Sequence, residues 1–219
     1  MLFRSIQAIL FDLDGTLVDT ADMILASFQY ATQTVLKRAI PDKELLDMVG
    51  QPLETQMLSL DKDHAGELME VYREHNHSIH DAYIKEFLGV KDTLKILVAS
   101  GMPLAVVTSK RHQQAVRGLK TFDLDGYFDF LLGANDTTKH KPDPGPLVQA
   151  AEQLGLPCEK CLYLGDSPYD MQAARSANML AVAATWGMFD RQRLLDAGAQ
   201  RVIDSMPQLL ELLAMLKTA

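Results

Sequence analysis

The chain has 219 residues, 47% hydrophobic and 23% charged, with a formal charge of −8 and an isoelectric point near 5.2, an ordinary globular composition long enough for one or two domains. The acidic balance argues against broad binding to nucleic acid or anionic membranes, and no apolar run nears the roughly 20 residues that span a bilayer. The start, Met1-Leu2-Phe3-Arg4-Ser5, lacks a basic segment followed by an apolar stretch, so a cytoplasmic setting is the expectation.

A first buried strand is expected at residues 6–11, a short apolar run that ends on Asp12. From residue 20 to about 87 no run reads as a buried strand. Helical spacing takes over instead: Met23, Ile24, Ala26, Ser27 and Tyr30, then Leu45, Leu46 and Val49, then Leu68, Met69 and Tyr72. Pro41 and Gly50-Gln51-Pro52 interrupt these helices. Beyond them strands and helices alternate. Helices are expected at 90–100, 111–121, 144–154 and 169–177, strands at 104–108, 130–132, 161–164 and 180–184, with Gly133, Gly155 and Gly165 at boundaries. The leucine-dense stretch 206–216 closes the chain as an amphipathic helix. The pattern predicts an α/β fold, a doubly wound parallel sheet at 1–18 and 86–219, with a small all-helical cap inserted at 19–85.

In such a sheet the carboxyl ends of the strands share one crevice. Four clusters follow predicted strands or their loops: Asp12-Leu13-Asp14-Gly15-Thr16, Thr108-Ser109, Lys141, and Gly165-Asp166-Ser167-Pro168-Tyr169-Asp170. Carboxylates, a hydroxyl and a lysine gathered in one place suit a hard metal ion and a phosphoryl group. Asp12 and Asp14, two apart, allow a division of labour in which one carboxylate attacks phosphorus and the other moves protons. Two anions would repel a phosphate, so a cation is required, and Mg²⁺ prefers oxygen ligands. Asp166 is the natural further ligand, and Lys141 supplies positive charge to phosphoryl oxygens. A calcium loop is excluded: it needs glycine at its sixth position and glutamate at its twelfth, where this chain has Leu17 and Met23. The Gly-x-x-x-x-Gly-Lys-Ser/Thr phosphate loop is absent.

With these clusters in this order, the chain resembles the haloacid dehalogenase superfamily over nearly its whole length, near its phosphoglycolate phosphatase and small-pyrophosphatase branches. Residues 8–20 resemble the first motif, Val107-Thr108-Ser109-Lys110 the second, Lys141-Pro142 the third and residues 164–170 the fourth. The resemblance implies that Asp12 is a nucleophile forming an aspartyl-phosphate and Asp14 a general acid/base. It implies a Mg²⁺ site made by Asp12, the Asp14 backbone carbonyl and Asp166, with Thr108, Ser109 and Lys141 around the phosphoryl group. Asp170 would orient Lys141 or a metal-bound water, or serve simply as a carboxylate at a helix N-terminus. Three departures stand out: Ser109 where phosphatases of this group often carry Asn, Leu88-Gly89-Val90 for Pro-Gly-Val, and Asn178 for a helix-ending glycine. Asn tolerates the left-handed conformation, so the last turn should survive.

Other signals are weaker. Cys158 and Cys161 are the only cysteines and read as reduced thiols at a strand entry, with no ligand set for zinc. The segment His75-Asn76-His77-Ser78-Ile79-His80-Asp81 reads as a solvated helix end, although Tyr72-Arg73-Glu74-His75-Asn76-His77 looks like a segment of the pyrophosphatase branch. Lys110-Arg111-His112 reads as a solvated charge cluster, and the eleven methionines as core filling. Gly50 and Gln51 lie where capped relatives place specificity residues. The resulting expectation is a Mg²⁺-dependent phosphatase for a small phosphorylated metabolite, closest to phosphoglycolate phosphatase, without nucleic-acid or membrane partners. Pyrophosphate hydrolysis, a sugar-phosphate phosphatase or mutase, and a non-catalytic Mg²⁺/phosphate-binding module are the alternatives. Oligomeric state is left open. Asp14 speaks against carbon–halogen chemistry, and the absence of lysine from 44 to 61 against a Schiff-base phosphonate hydrolase.

Overall fold

The computed structural model describes residues 6–218; the Met1–Ser5 segment lies outside them. The chain opens with β1 (Ala8–Phe11), then β2 (Val18–Asp19), and enters four helices: α1 (Ala21–Val35), α2 (Asp42–Leu46), α3 (Leu53–Leu60) and α4 (Ala65–Tyr83). It returns through β3 (Lys85–Glu86) to α5 (Val90–Ala99), β4 (Leu104–Val107), α6 (His112–Thr121), β5 (Phe130–Leu132), α7 (Gly145–Gln153), β6 (Cys161–Gly165) and α8 (Pro168–Ser176). The last elements are β7 (Leu180–Ala184), α9 (Arg191–Asp196), β8 (Arg201–Ile203) and α10 (Gln208–Thr218).

Six strands form one parallel sheet in the order β5-β4-β1-β6-β7-β8. Their apolar residues are buried on both faces, as a sheet covered by crossover helices requires. Period-two alternation splits the core in two. Ile9, Phe11, Val106, Leu164 and Val182 pack with Leu94, Leu119 and Leu209 on one face. Ala8, Leu10, Ala105, Tyr163 and Ala181 pack with Leu147, Ala150 and Met171 on the other. The small alanines let α7 and α8 approach closely, while the larger aliphatics hold α5 and α10 further off.

The cap has its own core, in which Ile24 and Phe28 of α1 meet Leu68 and Tyr72 of α4, with Leu45, Val49 and Met57 beside them. Phe28 and Tyr72 rings stand 4.9 Å apart. The two chain crossings into and out of the cap pair as an antiparallel ribbon, Val18 with Glu86 and Asp19 with Lys85. Asn178 ends α8 with φ of +59°, so the left-handed turn does survive without glycine. Besides the two-residue β2 and β3, the elements β8 and α9 escape the sequence pattern. Strand β8 shows two adjacent apolar residues in three, and α9 is too short to display a helical stripe. Cys161 opens β6, and burial pushes its thiol up to about 12 and raises that of Cys158, so both cysteines stay protonated. Among the described residues no helix is long and apolar enough to cross a membrane.

Candidate active site

Parallel pairing puts Phe11 level with Val106 on one side and Leu164 on the other, so Asp12, Thr108 and Asp166 emerge together from the carboxyl edge. The backbone holds them there: Asp12 N donates to the Leu164 carbonyl and Thr108 N to that of Leu132, each at 2.9 Å. The loop before α7 brings Lys141 beneath them. All four side chains are buried, as is Asp170.

Lys141 is the hub. Its Nζ lies 2.9 Å from Asp12 Oδ1, 2.6 Å from Asp170 Oδ1 and 2.9 Å from the Tyr163 hydroxyl, which donates to the Val107 carbonyl at 2.8 Å. Burial works against the ammonium, but the charges of Asp12 and Asp170 outweigh it and hold Lys141 above the ordinary lysine range. Asp170 turns its other oxygen to the start of α8. There it accepts from Ser167 N at 2.9 Å and Ser167 Oγ at 2.7 Å, while Ser167 Oγ accepts from Asp170 N. Asp170 therefore both caps the helix and contacts the lysine.

Asp12 and Asp166 are less well compensated. Burial raises the Asp12 carboxyl from 3.8 to about 7, Lys141 opposing and Asp170 and Asp14 adding to the rise. Asp166 goes well above its usual value through burial first, then the charges of Asp170 and Asp12. Thr16 Oγ1 stands 3.4 Å from Asp166 Oδ1, and Met188 N donates to Oδ2 at 2.8 Å. Asp12 Oδ1 meets no donor in hydrogen-bonding geometry, Lys141 included. Ligand oxygens of Asp12, Asp166 and Asp170 lie within 4.8 Å of one another. Asp170 is held on both oxygens at short range by Lys141 and Ser167, whereas Asp166 Oδ1 has only the Thr16 hydroxyl at 3.4 Å, which leaves Asp12 and Asp166 as the pair better placed to coordinate. Two buried, proton-hungry carboxylates side by side, with one lysine between them and Asp170, fit a hard divalent cation such as Mg²⁺. Gly15 makes the approach possible: at φ +79° a Cβ there would stand 2.2 Å from Asp166 Oδ2.

Over this floor lies a cleft of about 310 Å³, walled by both cap and core. That is the small end of the usual ligand range of about 300–1,000 Å³. Asp14 projects into it and pairs with Lys110 at 2.6 Å, both side chains mostly shielded. Thr108 Oγ1 accepts from Lys110 N at 3.2 Å, leaving its hydroxyl proton to be directed elsewhere. Ser109 does something different from its expected role. Its hydroxyl donates to the Gly50 carbonyl at 2.7 Å, joining core to cap. Gly50 and Gln51 do line the cleft, but the Gln51 amide turns to the Tyr169 hydroxyl at the start of α8.

Two expectations need correction. Lys110-Arg111-His112 is not a free charge cluster: Lys110 is bound to Asp14, Lys110 and Arg111 line the cleft, and His112 pairs with Asp136 at 2.6 Å. The histidine-rich stretch is solvated only in part: His77, Ser78 and Asp81 are exposed, but its other side chains are engaged. His75 stacks on Tyr30 at 4.2 Å, Asn76 donates to Ser27 Oγ, and His80 is buried 2.7 Å from Asp81. Arg117 of α6 reaches across to the His77 carbonyl and to Asp81 at 3.0 Å. Tyr72, Arg73, Asn76, His77 and His80 all face the cleft, and their i, i+3/i+4 spacing was the available signal.

The model of the haloacid dehalogenase-like hydrolases matches residues 9–184. The chain belongs to this family. A relative from Caldanaerobacter subterraneus subsp. tengcongensis, named provisionally as the pyrophosphatase PpaX, is 42% identical over 208 residues, 95% of this chain and 94% of its own. The pyrophosphatase PpaX of Halalkalibacterium halodurans is 33% identical, covering 94% of this chain and 96% of its own. A solved structure from Lactobacillus plantarum, titled provisionally as a phosphoglycolate phosphatase, superposes with a TM-score of 0.85 at 26% identity, over 95% of this chain and 99% of that one. This haloacid dehalogenase-like hydrolase is accordingly an enzyme with the six-stranded core of its relatives.

Proposed function

We propose that this enzyme is a Mg²⁺-dependent phosphatase acting through Asp12, with inorganic pyrophosphate as its substrate. The observation that carries the reading is the buried Asp12 carboxylate, ion-paired with Lys141 at 2.9 Å beside Asp166 at the floor of the cleft. Asp12 attacks phosphorus, and the bond to the leaving oxygen breaks as an aspartyl-phosphate forms. Asp14 gives that oxygen a proton, then takes one from the water that releases phosphate from Asp12. Lys141 and the Thr108 hydroxyl offset charge on the phosphoryl oxygens throughout. Mg²⁺ held by Asp12 and Asp166 would supply the remaining positive charge and lower the Asp12 proton affinity. The cap excludes bulk water from this exchange.

The choice of pyrophosphate rests on the names of the 42% and 33% identical relatives. Phosphoglycolate is the second reading, favoured by the Lactobacillus plantarum structure. Purified protein with Mg²⁺ is expected to release phosphate from p-nitrophenyl phosphate. Asp12→Asn should lower that rate by at least about 10³-fold, and full activity in the variant would overturn the assignment. Comparing kcat/KM for pyrophosphate, phosphoglycolate and a sugar phosphate then decides the substrate.

A further inference from the structure

Four cations stand in the wall of the cleft: Arg73 from α4, Lys110 and Arg111 from the turn leading into α6, and Arg117 from α6 itself. Two are committed, Lys110 to Asp14 at 2.6 Å and Arg117 to Asp81 at 3.0 Å. Among the described residues, neither Arg73 nor Arg111 has a carboxylate within 4.0 Å. The two nevertheless feel one another. Burial, and after it the charge of Arg111, hold the Arg73 guanidinium below the ordinary arginine range, with Glu54 opposing. Like charges facing a shared cavity are unfavourable; Glu54, in the same wall, offsets part of this for Arg73, and an anion held by both arginines offsets more.

Their position says which anion. Arg111 follows Lys110, whose ammonium holds Asp14, the group assigned to the leaving oxygen. Arg73 lies one helical turn before Asn76, on the cap side of the same cavity. Both arginines thus line the same cleft as Asp14, Arg73 from the cap and the exposed Arg111 from the core. A small cavity leaves room beside the transferred phosphoryl for a compact group only. Guanidinium groups match phosphoryl oxygens in bidentate fashion.

We propose that Arg73 and Arg111 form a second anion subsite, which holds the departing phosphoryl group of a diphosphate and so sets substrate preference. This rests on the phosphatase reading above and adds the residues that choose among its substrates. Because one arginine comes from the cap and the other from the core, an anion bound by both also ties the two together.

The test measures kcat/KM for pyrophosphate, phosphoglycolate and p-nitrophenyl phosphate in wild type, Arg73→Gln and Arg111→Gln. Each variant should lower the ratio of the pyrophosphate constant to the aryl phosphate constant about 10- to 100-fold. A ratio within about twofold of wild type overturns the subsite. Loss confined to phosphoglycolate overturns the diphosphate assignment in favour of a carboxylate. A second measurement is independent of pyrophosphate turnover: inhibition of aryl phosphate hydrolysis by methylenediphosphonate should weaken at least tenfold in each variant, and unaltered inhibition counts against the proposal. Wild-type protein inert toward aryl phosphate would instead sink the phosphatase reading itself, a distinguishable failure.

Discussion

Asp170 carries two obligations that separate experiments can pull apart. One oxygen caps α8 through Ser167, and the other fixes Lys141 at 2.6 Å. Losing the cap alone, in Ser167→Ala, should cost about 1 kcal/mol in urea denaturation. Asp170→Ala should cost about 3–5 kcal/mol, because it leaves Lys141 buried with one partner fewer. It should also slow phosphate release at least tenfold, since only the Tyr163 hydroxyl then steadies the ammonium beside Asp12. Equal costs for the two variants would reduce Asp170 to a capping residue. The grouping of Asp12, Asp14 and Asp166 was legible in the sequence because each follows a strand with a clear apolar run, whereas Lys141, in the loop between β5 and α7, was placed only by the resemblance. Lys110 was not legible: in sequence it is one cation among three, and only the turn after β4 aims it at Asp14.

At the scale of elements, the loop between α2 and α3 docks the cap on the core. Ser109 donates to the Gly50 carbonyl, and Gln51 and the Asp47 carbonyl meet the Tyr169 hydroxyl. Gly50 sits at φ +102°, and a Cβ there would stand 2.8 Å from Ser167 Oγ and 2.9 Å from the Tyr169 ring. Gly50→Ala should therefore lift this loop away from α8. The expected outcome is a rise in KM of about tenfold with a smaller loss in kcat, together with weaker protection of the loop amides in hydrogen exchange. Unchanged KM would mean that the contact is incidental to substrate capture. Sequence placed this loop correctly between helices but not its partners, because Gly50 and Tyr169 are more than a hundred positions apart. The same limit hid the cleft face of α4. Its Arg73–Asn76–His77–His80 stripe is visible by spacing, yet only the packing of Arg117 against Asp81 shows that the stripe faces the core rather than water.

For the whole molecule, the site is a concentration of buried negative charge that the fold tolerates against its own stability. The Asp12 carboxyl has a folded value of about 7 against an ordinary 3.8. Between those values Asp12 binds more protons in the folded metal-free protein than in the unfolded chain, so its contribution to stability falls as pH rises from about 4 to 7. Asp166, also raised, pushes in the same direction. Thermal melting of chelator-treated protein should follow this fall, by a few kcal/mol, and Asp12→Asn should flatten it. Mg²⁺ should reverse the loss at neutral pH by binding the folded state alone. At a hundredfold excess over its dissociation constant that is about 2.7 kcal/mol, or roughly 5–10 °C in melting temperature for a chain of this size. Asp166→Asn should abolish most of the Mg²⁺ shift while leaving the fold intact, since Asn keeps the acceptor for Met188 N. A melting temperature indifferent to Mg²⁺ at pH 7.5, or a wild-type profile that rises from pH 4 to 7, would mean that these carboxylates are compensated by the protein itself and need no ion.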